Sequence, residues 1–121
     1  MNDAEMAPRK AFVQEAVLQM DAEIDPASIG AAVTVELCGH WEHEGTCRWP
    51  HNNGIEMGAS HARFRTLFIS DPEDEAEVRE RITEALSGIE GVSVADSFSR
   101  PVGTSEQALA ERLLRSGGTS P

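Results

Sequence analysis

The sequence predicts one small domain of mixed α and β structure, and three observations support that class. Apolar residues recur at steps of three and four from Val78 to Ile89, which is typical of a helix, and they alternate over residues 92–98, which is typical of a strand. Two Asp-Pro pairs, Asp25-Pro26 and Asp71-Pro72, each follow a strand-like run and can each open a helix. A chain of 121 residues can bury one core.

The first half of the chain allows two interpretations. Residues 1–10 are expected to form a disordered leader, and Glu15–Ala22 a strand that leads into a helix over residues 26–41. Residues 12–24 also fit an amphipathic helix, and Val33–Leu37 also fits a β-branched strand. We favour the strand followed by the helix, because the Asp-Pro signal then has the same role in both halves.

In the second half, residues 55–57 are expected to pair with residues 62–69 as a hairpin. Pro50 and Asn52-Asn53-Gly54 are interpreted as turn residues that precede this hairpin. The helix that follows is expected to be capped by Ser70 or Asp71, and it ends at Gly88 or Gly91. Its predicted core stripe consists of Val78, Ile82, Leu86 and Ile89.

The last elements are a strand over residues 92–98 and an added helix over residues 105–116, capped by Thr104 or Ser105. Residues 117–121 are expected to be a disordered tail, which leaves residues 11–116 as the domain. The order strand, helix, strand, strand, helix, strand is that of the ferredoxin-like (βαββαβ) plait. Because that fold carries many unrelated functions, the order alone predicts no activity.

Composition limits the classes of partner. The chain has 21 acidic and 10 basic residues, a net charge of −11 that disfavours binding to nucleic acid and to anionic membranes. No apolar run is long enough for a membrane span or a secretory signal, so a cytoplasmic location is expected. A phosphate-binding glycine loop, a G-x-S-x-G motif and an H-E-x-x-H motif are all missing from the sequence, which favours a protein that is not an enzyme.

Residues 38–61 contain every histidine, both cysteines and both tryptophans of the chain. Imidazole and thiolate are ligands that Zn²⁺ prefers, so a zinc site in this segment is one hypothesis. If residues 26–41 are helical, Cys38 is a small core residue, Glu36 shares a face with two of the ligands, and the predicted metal set is His40, His43, Cys47 and His51. If Val33–Leu37 is a strand, the predicted set is Cys38, His43, Cys47 and His51.

The part of this segment that starts at Cys47 resembles the zinc segment of pterin synthases, in which a cysteine is followed by H-x-H. Cys47 and His51 match that spacing, whereas Asn53 stands where the second histidine should be. The resemblance therefore implies Cys47 and His51 as zinc ligands and leaves the third position in doubt.

Other roles for these residues stay open. His40 and His43 are also what a helix C-terminus favours, His61 fits an exposed turn, and Trp49 fits a core or lid position. Our leading hypothesis is a small cytosolic accessory or regulatory protein with a metal-binding loop. The alternatives are an interaction module without metal, which pairs with a second copy or another protein, and a zinc- or thiol-dependent enzyme that uses Cys47 and His51.

Overall fold

The computed structural model describes residues 9–38 and 49–118. Within these ranges the chain forms four strands and three α-helices: β1 (Lys10–Met20), α1 (Pro26–Cys38), β2 (His51–Met57), β3 (Ala62–Ser70), α2 (Glu75–Ser87), β4 (Val92–Arg100) and α3 (Gln107–Gly118). The strands form one antiparallel sheet in the order β2-β3-β1-β4. The prediction of a mixed α+β domain is therefore confirmed.

The main core lies between one face of the sheet and the helices α1 and α2. The predicted stripe on α2 is buried at Val78, Ile82 and Leu86, whereas Ile89 lies beyond the end of the helix and is half-buried. These side chains pack in one cluster with Ile29, Val33 and Leu37 of α1 and with Leu18, Phe64 and Phe68 of the sheet. Full burial of each aliphatic side chain contributes about 1.5–3 kcal/mol.

Among the described residues, the opposite face of the sheet is covered over only part of its area. There α3 places Ala110, Leu109 and Leu113 against Val13 and Leu67, in a second and smaller cluster. The element order of the second half therefore agrees with the prediction of an added C-terminal helix. None of the helices within residues 9–38 and 49–118 has both the length and the apolar character needed to cross a bilayer.

The structure decides between the two interpretations of the first half. Residues 12–20 belong to a strand and residues 33–37 to a helix, so both alternatives are wrong. Asp25 caps α1 as predicted, because its Oδ1 accepts a hydrogen bond from the Ala27 N–H at 3.0 Å. The strand begins at Lys10, inside the expected leader, because Lys10 pairs with Ser70 at the end of β3.

Two further local predictions are wrong. Asn52-Asn53-Gly54 lies inside β2 and forms no turn, because the Asn53 side chain hydrogen-bonds to the Gly30 carbonyl and to Thr66. The predicted side-chain caps of α2 also fail. A 3₁₀ turn over Pro72–Asp74 precedes that helix, and Asp71 stands at its N-cap position without a side-chain cap hydrogen bond. The Ser70 hydroxyl donates to the Asp71 carbonyl at 2.9 Å.

The cap of the last helix was also misplaced. A 3₁₀ turn over Thr104–Glu106 precedes α3, and its N-cap residue is Gly103, not Thr104 or Ser105. The Gly103 N–H donates to the Glu106 carboxylate at 2.8 Å. A side chain from within the turn therefore stabilises its start, where the prediction expected a hydroxyl group.

Candidate functional site

The half of the sheet that α3 leaves uncovered has a definite residue pattern, set by the strand register. Side chains alternate between the two faces of a strand, and residues paired in register stand side by side on one face. The pairings bring together two rows across the four strands, in the order β2, β3, β1, β4. The first row is Glu56, Arg63, Val17 and Asp96, and the second is Gly54, Arg65, Glu15 and Phe98. We call these eight residues the uncovered patch.

A shallow depression of about 400 Å³ opens on this patch and extends to Arg100 and Glu106 at the start of α3. A second depression of about 450 Å³ continues from it toward the β2–β3 turn. Both are lined by Glu56 and Arg63, so these two side chains lie where the depressions meet.

Glu106 is the centre of a charged cluster at the border between the uncovered patch and α3. Its carboxylate accepts two hydrogen bonds from the Arg100 guanidinium, at 2.9 and 3.0 Å. It also accepts one from Arg65 Nη1 at 3.0 Å and one from the Gly103 N–H at 2.8 Å. The cluster therefore ties the start of α3 to β3 and β4.

These contacts shift the pKa values of the cluster. Hydrogen bonds from Arg100 are the largest cause that lowers the pKa of Glu106 to about 2. Desolvation opposes this shift, and smaller contributions from Gly103 and Arg65 add to it. The pKa of Arg100 is raised, first by Glu106 and then by Glu15. Glu106 is therefore ionised at neutral pH and is unsuited to act as a general acid.

Arg65 lies flat across β2 because Gly54 has no side chain there. A Cβ added at Gly54 would stand only 3.0 Å from Arg65 Nη2, so a larger residue there would crowd the guanidinium. Arg65 Nη2 donates a hydrogen bond to the Asn52 side chain at 2.8 Å. Arg65 Nε is buried and has no hydrogen-bond partner among the described residues. Arg65 is thus held in place by its two terminal nitrogens.

Arg63 and Glu56 differ from the residues of this cluster because they do not form an ion pair with each other. They are direct cross-strand partners and both are exposed, yet they form no ion pair. Arg63, with a side chain that is 63% exposed, has Glu15 as its ion-pair partner at 3.7 Å, which is too long for a strong hydrogen bond. Glu56 forms no hydrogen bond or ion pair with another described residue. Within the part of the chain that the structure describes, neither charge is therefore held by a strong contact.

The predicted metal ligands are only partly described. His40, His43 and Cys47 lie outside the described residues, so their placement in a metal site stays a prediction. His51 opens β2, and both of its ring nitrogens have protein partners: the Nδ1–H donates to the Trp49 carbonyl at 3.1 Å, and Nε2 contacts the Thr34 hydroxyl at 3.0 Å. A metal ion at His51 would have to displace one of them.

Burial lowers the pKa of His51, and the hydrogen bond to Trp49 opposes that shift. Its Thr34 partner also receives an N–H from Asn53 at 3.4 Å, so the ring belongs to a polar network between α1 and β2. The geometry of His51 is what a structural histidine requires.

Cys38 does not have the predicted role of a free core cysteine. It is disulfide-bonded and only half-buried at the end of α1, so in this state it offers no thiolate. The other cysteine of the chain, Cys47, lies outside the described residues. Sequence composition could not predict this state, because it depends on the redox environment.

The remaining candidate residues make structural contacts or are exposed to solvent. Glu36 forms an ion pair with Arg81 at 3.4 Å, and the Arg81 guanidinium stacks on the Trp49 ring at 5.3 Å. Trp49 is buried in the main core, and His61 is exposed in the β2–β3 turn, as predicted for both. Within residues 9–38 and 49–118, no three His, Cys, Asp or Glu side chains are grouped to hold a metal ion.

Comparison with known proteins adds little. No family model matches this chain and no curated protein matches it, so the resemblance to pterin synthases receives no support. Among solved structures, the chain is similar to the YXEP protein of Bacillus subtilis, a dinuclear metal-binding peptidase from the M20 family, with 14% sequence identity and a TM-score of 0.47. The match covers 91% of this chain and 33% of the other, so this chain spans about a third of that structure's length. A likeness at that score supports no argument about function.

Sequence reasoning did not single out Arg63, Glu56 or Glu106. One signal was present: Arg63 and Arg65 alternate with apolar residues and so must share a face of β3. The carboxylates that face them come from three other parts of the chain, and only the strand register brings them together.

Proposed function

We propose that this chain is a ferredoxin-like plait that serves as a non-catalytic protein-interaction module, with the uncovered patch as its binding surface. The strand order β2-β3-β1-β4 and the alternation of helices and strands support the plait. The observation that carries the proposed function is the exposure of Arg63 and Glu56, two adjacent opposite charges that do not pair with each other, on the same face as Phe98.

Several features support binding over catalysis. Phe98 is one of three large apolar side chains exposed among the described residues, and it lies in the second row of the uncovered patch. An exposed aromatic ring bordered by charges is typical of a protein contact. The acid and the histidine with shifted pKa values, Glu106 and His51, are both committed to structural hydrogen bonds. Neither is free to move a proton to or from a substrate.

A photo-crosslinking experiment tests this function. A benzophenone side chain is introduced at Phe98, and, in a matched variant, at Val35, which is similarly exposed on the outer side of α1 (39% and 42%). In the cells that make the protein, irradiation should yield protein adducts from position 98 and few from position 35. Equal yields from both positions, or no adduct from position 98, would refute the uncovered patch as a binding surface.

The metal-binding loop is a second candidate function, favoured by the concentration of every histidine and both cysteines in residues 38–61. We propose zinc as its ion, with His40, His43, Cys47 and His51 as the ligands. Thiolate ligands require reduced cysteines, which fits the proposed cytoplasmic location and requires that Cys38 not be disulfide-bonded there.

Metal analysis of reduced, untagged protein tests this second candidate. Near-stoichiometric zinc should be present in the wild type and lost in Cys47→Ser and His51→Ala. A chelator should then change the tryptophan fluorescence of the wild type and leave that of both variants unchanged. Metal-free wild type, or the same chelator response in all three proteins, would refute the zinc site.

A further inference from the structure

We infer that the partner of the uncovered patch is a second copy of this chain, bound face to face around a twofold axis that passes between Glu56 and Arg63. This inference rests on the proposed function and names its partner. Such an axis would place Glu56 of each copy against Arg63 of the other. Two neighbouring charges of opposite sign that do not pair with each other within one copy would then form two reciprocal ion pairs between copies.

The distribution of charge favours this face over the others. Each copy carries a net charge of −11, so most approaches of two copies are repulsive. The segment from Pro72 to Ser87, for example, has six acidic residues and two arginines. The uncovered patch and its border are nearly balanced, with four acids (Glu15, Glu56, Asp96, Glu106) and three arginines (Arg63, Arg65, Arg100). Two copies can therefore meet here with little net repulsion.

The area of the uncovered patch indicates how strongly two copies should associate. With about 4.8 Å between strands and about 6.8 Å between residues on one face, eight positions cover roughly 260 Å². A standard interface buries about 800 Å² on each partner, so the flank of α3 and the β2–β3 turn must contribute. We therefore expect a weak dimer whose population depends on protein concentration in the range from micromolar to millimolar.

Charge reversal distinguishes this arrangement from any other. Glu56→Arg leaves two positive charges at positions 56 and 63, and Arg63→Glu leaves two negative charges there. Neither variant should pair with itself, and we expect a dissociation constant raised about tenfold or more. An equimolar mixture of the two should associate again, because both contacts between unlike variants are attractive. The double variant, which exchanges the two charges, should also associate with itself.

Sedimentation velocity over a range of protein concentrations, at physiological ionic strength, measures the association of the wild type, of each variant and of the mixture. Glu84→Arg changes the net charge as much as Glu56→Arg does, but on the exposed side of α2, and it should associate like the wild type. Circular dichroism checks that every variant is folded. A monomeric wild type at all concentrations, or single variants that associate as the wild type does, would overturn the inference, as would a mixture that stays monomeric.

Different results would refute the interaction module and the second copy as its partner. Crosslinks from Phe98 to other polypeptides, with a wild type that stays monomeric, would overturn the second copy as partner and leave the interaction module in place. Absence of any crosslink from Phe98 would refute the module itself. A crosslinked product of twice the chain mass, lost in Glu56→Arg, would support both.

Discussion

Replacing Glu106 with glutamine should loosen the attachment of α3 to the sheet. The carboxylate accepts four hydrogen bonds, two from Arg100 and one each from Arg65 and the Gly103 N–H. A glutamine has the same shape, but its amide nitrogen is a donor and cannot accept from a guanidinium. At least one arginine donor then loses its partner at a position where Glu106 is buried.

The pKa of Glu106 gives the size and the pH range of this effect. A fall from 4.5 to about 2 corresponds to roughly 3 kcal/mol if fully expressed in stability. Because the cluster borders an open depression, solvent screening reduces this figure, and we expect a loss of about 1–3 kcal/mol at pH 7 for Glu106→Gln. Since the folded pKa lies below the unfolded one, the contribution is complete above about pH 5 and is lost as the pH falls toward 2.

Urea denaturation of the two proteins from pH 7 to pH 2.5 measures this contribution. The wild type should be more stable at pH 7, and the difference between the two proteins should shrink steadily below about pH 5. Glu111→Gln, the same change at an exposed position of α3, should match the wild type throughout. If Glu106→Gln were as stable as the wild type at pH 7, or if the difference did not change with pH, the hydrogen-bonded carboxylate would not stabilise the fold.

Two other predictions concern the core and the buried histidine. Ile82 is fully buried in the main core, so Ile82→Ala should lower the free energy of unfolding by about 2–5 kcal/mol, and a loss under half of one kcal/mol in urea denaturation would contradict its place there. Because the pKa of His51 is lowered in the fold, protonation favours the unfolded state, and stability should fall as the pH drops below about 6.5. Thermal melts monitored by tryptophan fluorescence should show this fall in the wild type and in His61→Gln, but a smaller one in His51→Gln. An equal dependence on pH in all three proteins would show that His51 is not responsible.

The elements that could be predicted from the sequence are those whose signals are local. The spacing of Val78, Ile82 and Leu86 defines a helix whatever surrounds it. The same holds for Asp25, whose cap depends only on the two residues that follow it. These predictions needed no knowledge of the rest of the fold.

The predictions that failed are those in which a distant partner outweighs a local preference. Asn52-Asn53-Gly54 favours a turn, but Asn53 finds partners on α1 and β3, and Gly54 makes room for Arg65, so the segment extends as a strand. The start of α3 likewise takes its cap from Glu106, which is held in place by arginines of two strands.

The sequence by itself determined the class of the fold and the identity of nearly every element, because helix and strand periodicity are properties of consecutive residues. Composition also fixes the net charge of −11, from which we predict that binding to nucleic acid and to anionic membranes is disfavoured. Only the tertiary structure decided where the uncovered patch lies. Glu56 and Arg63 become neighbours through the hairpin register, and Glu15, Arg65 and Phe98 through the pairing of β1 with β3 and β4. The register of a sheet depends on contacts between residues far apart in the chain, and a shift of one residue would move every one of these side chains to the opposite face.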